Sequence, residues 1–211
     1  MYITNPTSSP YWSTSNHWEY LLIVSPEKEV YEKVVTEKEK FYYKYGEKIA
    51  IKTKPHITLA VFLARTEMEK ALNISLQAIC NVFRASTVTL DSYSGFKPNT
   101  IFLKVQNHEP FKRIAKALKA MNDFLDEYEC PPIKVTSHPH MSIARRLREY
   151  VYFKAIREYK YEAFFESFTM NELVLIKRPH QLHECHNLGA FPLLPSLKPH
   201  APTSFQLKLN L

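Results

Sequence analysis

Two stretches, Pro55-His56-Ile57-Thr58-Leu59-Ala60 and Pro139-His140-Met141-Ser142-Ile143-Ala144, repeat one pattern: Pro, His, an apolar residue, a hydroxyl residue, an apolar residue, Ala. The first runs on through Val61-Phe62-Leu63, and both read as β-strands from their apolar and β-branched content. On a strand, residues i and i+2 share a face. His56 therefore projects beside Thr58 and His140 beside Ser142, while the residues between them turn the other way. A lone H-x-[ST] triplet says little in a chain with nine histidines. The full six-residue pattern, met twice in similar strand and helix surroundings, points to two related lobes.

Working outward, Trp18 to Val24 reads as a buried strand, and Ser25-Pro26 supplies a helix N-cap followed by proline at the first helical position. Val30, Val34, Phe41 and Tyr45 then recur at helical spacing, with Gly46 as the stop. Thr66 to Phe83 reads as a second helix. Thr87 to Tyr93 and Thr100 to Val105 form a hairpin-like pair punctuated by Gly95, Pro98 and Asn99. From Pro110 onward, Phe111, Ile114, Ala115, Leu118, Met121 and Leu125 mark one helix face, and Lys112, Arg113, Lys116 and Lys119 the other. Leu147 to Tyr159 is a further helix, Phe168 to Ile176 a strand, and Leu188 to Leu194 a last short strand. The expected organisation is a polar N-terminal tail over residues 1–16, one bilobal domain over 17–194, and a peripheral Pro-rich extension over 195–211, where Phe205 to Leu209 alternates.

The chain of 211 residues is long enough for a sizeable core. Its three glycines, Gly46, Gly95 and Gly189, stand apart, which excludes the Gly-rich phosphate loops of P-loop and Rossmann sites. A formal charge of +7 favours polyanionic partners. Cys80, Cys130 and Cys185 are odd in number and unpaired in spacing, as in a reducing compartment, so a cytoplasmic location is expected. The N-terminus has neither a basic flank nor an apolar core, and no apolar stretch is long enough to span a bilayer, so the expectation is no signal peptide and no membrane.

If the two motif strands face a common cleft, two imidazoles and two hydroxyls converge there. Displacement at phosphorus needs one group to take a proton from the attacking oxygen and another to give one to the leaving oxygen. Histidines titrate near neutrality and can hold opposite protonation states, while the hydroxyls hydrogen-bond anionic oxygens. The set suits phosphodiester chemistry, and it leaves open which histidine is the base.

The extended motifs, His140-Met-Ser-Ile-Ala-Arg145 and His56-Ile-Thr-Leu-Ala-Val-Phe-Leu63, resemble the paired signatures of the 2H phosphoesterase superfamily, in its LigT or 2'-5' RNA ligase-like branch. The hairpin around Phe96 to Val105 and the closing segment His186 to Leu193 stand where that branch has an aromatic-bearing loop and a final strand. The resemblance implies an α+β bilobal fold with pseudo-two-fold symmetry, two antiparallel sheets flanking a central cleft and helices outside. It implies hydrolysis of 2',3'-cyclic or 2'-5'-linked phosphoesters, or ligation in the reverse sense, with no metal and no cofactor. His56 and His140 become the acid/base pair, and Thr58 and Ser142 the phosphate-holding hydroxyls. Ser142 stands where the family pattern has Thr, which keeps the hydroxyl but loses the β-methyl that restricts its rotamer.

Arg145, Tyr20, Phe96 and Tyr150 are further candidates for substrate binding, the aromatics by stacking on a base. Arg145 stands at i+5 from His140 and on a regular strand faces away, and Tyr20 reads more readily as a core aromatic than as a stacking residue. Arg146 and Lys54 read as rim charges. His138 is either a bystander or a partner of His140. The run Arg178-Pro-His180-Gln-Leu-His183-Glu-Cys185-His186 is rich in metal-ligand types but fits no standard structural-zinc spacing. The expected protein is thus a monomeric enzyme acting on RNA ends or small oligonucleotides. The rivals are a non-catalytic RNA-end-binding module and a hydrolase of cyclic-oligonucleotide signals.

Overall fold

The computed structural model describes residues 17–179 and 184–196. The expected tails therefore lie outside the described residues, apart from Pro195 and Ser196, and so does the alternating Phe205 to Leu209.

Among the described residues, nine strands form the sheet: β1 (His17–Val24), β2 (Ile57–Arg65), β3 (Ser86–Phe96), β4 (Thr100–Val105), β5 (Lys134–Val135), β6 (His140–Ala144), β7 (Phe165–Met170), β8 (Glu172–Arg178) and β9 (His186–Pro192). The order is β7-β3-β4-β6-β2-β1-β8-β9, every named pairing is antiparallel, and β5 adds to β2. The two expected antiparallel sheets are the two four-stranded halves of this path. They meet where β2 and β6 pair at a single position, Ile57 opposite Met141. The motif strands are thus the innermost strand of each half, and the pseudo-two-fold passes between them.

The helices are α1 (Lys28–Tyr45), α2 (Ile49–Lys52), α3 (Glu69–Cys80), α4 (Glu109–Leu118), α5 (Asn122–Glu127) and α6 (Glu149–Tyr159). They exchange between halves. α1 follows β1 but packs against β6 and β7, whereas α4 follows β4 and packs against β2. α1 buries Val30, Val34, Lys38 and Phe41, the expected stripe with a lysine inside it. It ends at Gly46, whose φ of 71° is the left-handed conformation that glycine adopts without a Cβ penalty. Its start falls at Lys28, two residues past the expected proline, because Glu27 is still extended.

Two other elements differ from expectation. The amphipathic helix from Pro110 is broken by a 3-10 turn at Lys119–Met121 into α4 and α5, with Phe111, Ile114, Leu118, Met121 and Leu125 all still buried. The single strand expected over Phe168 to Ile176 is two. The ladder stops at Asn171, β7 pairs with β3 in one half, and β8 crosses to pair with β1 in the other. Periodicity registered one apolar run, but tertiary pairing divides it.

Candidate active site

Each motif histidine is held by the same local bond. Nδ1 of His56 lies 2.7 Å from the Lys54 carbonyl, and Nδ1 of His140 lies 2.8 Å from the His138 carbonyl. A carbonyl only accepts, so each Nδ1 carries the proton, and the neutral ring keeps its Nε2 lone pair free. The two strands pair at Ile57 and Met141, so His56 and Thr58 flank that contact on one strand and His140 and Ser142 flank it on the other. All four line one cleft of about 170 Å³, together with Thr53, Lys54, Phe96, Thr100 and Arg145.

Both motif strands carry a β-bulge at the same place. Against β1, the register skips Leu59 of β2, and against β4 it skips Ile143 of β6. A bulge adds one residue to a strand and so re-aims the side chains beyond it. This brings Arg145 into the cleft: after His140 and Ser142, the extra residue at Ile143 shifts the alternation, while Ile143 and Ala144 stay buried. Arg145 lines the cleft with a guanidinium whose N–H groups are donors to an anion, while its buried Nε stays unpaired among the described residues.

The electrostatics are one-sided. Burial pushes His56 down to about 4, against the opposing pull of the Lys54 carbonyl and with help from the charges of Arg145, Lys38 and Arg178. His140 is also lowered, by burial, against the opposing pull of the His138 carbonyl and with a smaller contribution from the His138 charge. Arg145 is lowered by burial and by the charge of Arg178. Glu19 is the nearby acid, and it is committed to a buried ion pair with Arg178 across the β1 and β8 ladder.

Phe96, on the β3 hairpin arm, meets the His140 ring edge-on at a centroid distance of 4.9 Å, and Phe102 meets the same ring at 4.9 Å. Phe96 is 37% exposed, so its ring remains available to a ligand. Gly95 is required beside it: a Cβ there would stand 2.7 Å from Tyr152 Oη and 2.9 Å from the Thr100 carbonyl.

Two of the expected substrate-binding aromatics are elsewhere. Tyr20 is fully buried, stacked on Phe62 and donating its hydroxyl to Glu69 at 2.9 Å, because β1 is a central strand whose faces are covered. Tyr150 is exposed on the first turn of α6, beneath the Arg148 guanidinium, and is not a cleft residue. Lys54 is a cleft residue, and Arg146, exposed, is not. His138 supports His140 through its backbone carbonyl, while its ring opens onto an adjoining groove of about 480 Å³. Of the run Arg178 to His186, rich in metal-ligand types, His180 and His183 lie outside the described residues. Among the described residues, no three His, Cys, Asp or Glu side chains gather as a metal site. No described helix is long and apolar enough to cross a membrane.

Sequence reasoning did not find Thr53, Thr100 or Lys38. The first two carry no motif. Lys38 left a signal, since it falls at i+4 from Val34 inside the apolar stripe of α1.

Residues 27–181 match the family model of the 2'-5' RNA ligase superfamily. The chain belongs to that superfamily, in agreement with the 2H phosphoesterase motifs. Among solved structures, 85% of the chain superposes on 99% of E. coli LigT in its apo form, at TM-score 0.60 and 18% identity. LigT complexed with 3'-AMP gives TM-score 0.63 and 19% identity, over 85% of this chain and 99% of that one. The protein TT0787 of Thermus thermophilus gives TM-score 0.64 and 19% identity, over 85% and 100%. At these identities the likeness establishes the fold. Comparison with curated proteins gives no match.

Proposed function

We propose that the cleft cleaves phosphodiesters of RNA, at 2',3'-cyclic phosphate ends or 2'-5' linkages, by acid/base catalysis between His56 and His140 with no metal. The observation that carries this reading is the symmetric pair of Nδ1 bonds, which leaves two Nε2 atoms and the Thr58 and Ser142 hydroxyls around one space beside Arg145. In hydrolysis, water attacks phosphorus, one imidazole takes its proton, the bond to the 2' or 3' oxygen breaks, and the other imidazole protonates that oxygen. His56 is assigned as the base. It faces Arg145, Lys38 and Arg178, which disfavour its protonated form, whereas His140 is pressed only by His138 among the charges. A bound phosphate anion raises both rings, and His140 then supplies the proton. Thr58, Ser142 and Arg145 donate to the non-bridging oxygens as charge builds on them. Phe96 offers a face for a base. The reverse sense, ligation, exchanges the two roles.

The nucleotide complexes of LigT, with 3'-AMP, ATP and NADP+, lend support from proteins of the same fold. The test is turnover of a panel of 2',3'-cyclic nucleotides and 2'-5'-linked dinucleotides in excess EDTA. Cleavage that persists in EDTA supports the reading. A folded protein that binds RNA ends tightly and cleaves no member of the panel replaces it with a binding module.

A further inference from the structure

The two bulges are equivalent in position but not in support. A bulge takes a backbone group out of the ladder, and a buried carbonyl then needs another donor. At Leu59 the donor is backbone: Thr136 N–H donates to the Leu59 carbonyl at 2.7 Å, just past β5. Among the described residues no short strand serves β6 in the same way. At Ile143 the donor is a side chain from the exchanged helix. Lys38 Nζ, on α1, donates to the carbonyls of Ile143 at 3.1 Å and Ser142 at 3.0 Å, and to Thr53 Oγ1 at 3.2 Å. Those three bonds use the ammonium's three protons.

We infer that Lys38 is a positioning residue of this cleft: its ammonium clamps the bulged second motif strand to the segment entering the first, and so fixes His140 and Ser142 relative to His56 and Thr58. The inference rests on the proposed reaction for its catalytic consequence. The placement of the clamp carries it. Ser142 is a motif residue, Ile143 is the bulge that turns Arg145 inward, and Thr53 both lines the cleft and precedes His56 by three residues. Lys38 is 2% exposed and its three acceptors are all uncharged. Burying an ammonium without a carboxylate partner is costly, and a packed apolar residue serves stability as well or better. Burial, then the charge of Arg145, accordingly brings Lys38 down to about 7. In return its field reaches His56 and favours the neutral ring.

The test uses the full chain with Lys38→Met, which keeps the stem but not the donor, and Lys38→Gln, which keeps a neutral donor. Two quantities are read: kcat and KM on whichever panel substrate turns over, and the titration midpoint of the His56 ring by NMR. Misplaced reacting groups lower kcat by about 10- to 100-fold in Lys38→Met, with KM within about threefold, and Lys38→Gln falls between. The His56 midpoint rises in both variants. Wild-type kcat in a folded variant, or an unmoved His56 midpoint, overturns the inference. If Lys38→Met does not fold, Lys38→Gln decides by the same criteria. The NMR titration needs no substrate, so failure of the proposed reaction and failure of the clamp are read separately.

Discussion

His56 and His140 are held in the same way: each donates Nδ1–H to the carbonyl two residues before it, at 2.7 Å and 2.8 Å, on either side of the Ile57 and Met141 pair. Two residues far apart in the chain thus share tautomer, orientation and cleft. Their surroundings differ, cations pressing on His56 and aromatic rings on His140, and on that difference rests the proposal of His56 as the base.

Arg145 is predicted to hold the phosphate. Inorganic phosphate should raise the melting temperature of the wild type, and Arg145→Met should weaken phosphate binding by about 10- to 100-fold, the worth of one or two charge-assisted hydrogen bonds. Isothermal titration measures it. Equal affinity in the variant would remove Arg145 from the site.

Tyr20→Phe should act on stability alone. Loss of the hydroxyl's bond to Glu69 should cost about 1 kcal/mol, softened by the Lys177 ammonium that stays 2.6 Å from the same carboxylate. A urea titration should show the drop with KM unchanged. A raised KM without lost stability would return Tyr20 to the substrate site.

Gly95→Ala should disturb Phe96 through close approach, since the new Cβ would meet Tyr152 and the Thr100 backbone. Overpacking of this kind costs about 1–3 kcal/mol. The accompanying shift of Phe96 should raise KM for base-bearing substrates more than it lowers phosphate affinity. Unchanged stability and KM would show that the hairpin yields freely.

The depressed His56 sets a pH dependence of stability. Its ordinary value is 6.5 and its folded value about 4, so between these the unfolded chain binds a proton that the folded chain refuses. Stability rises with pH through that window and falls as pH drops from 6.5 toward 4, with no contribution from this group above it. His56→Gln should flatten the slope in that range relative to wild type. Parallel curves for the two proteins would mean that His56 titrates normally.

Much of this was legible in the sequence because it is local. The motif repeat, period-2 geometry and the apolar stripes of α1 and α4 marked the strands, the four central side chains and the lobe symmetry. The features that escaped depend on pairing between distant segments. The bulge at Ile143 exists only against β4, so strand parity sent Arg145 to the wrong face. The division of one apolar run into β7 and β8 depends on which half each strand joins. Lys38 reads as one charge among many until α1 is laid against the other half's motif strand.

The most direct test of the paired-histidine mechanism is a double-mutant cycle on turnover in excess EDTA, with wild type, His56→Ala, His140→Ala and the double variant. Each single substitution should lose about 100-fold or more, as expected for a general acid or base, and the double variant should lose little beyond the worse single one because the pair acts as a unit. Wild-type turnover in either folded single variant would contradict the account.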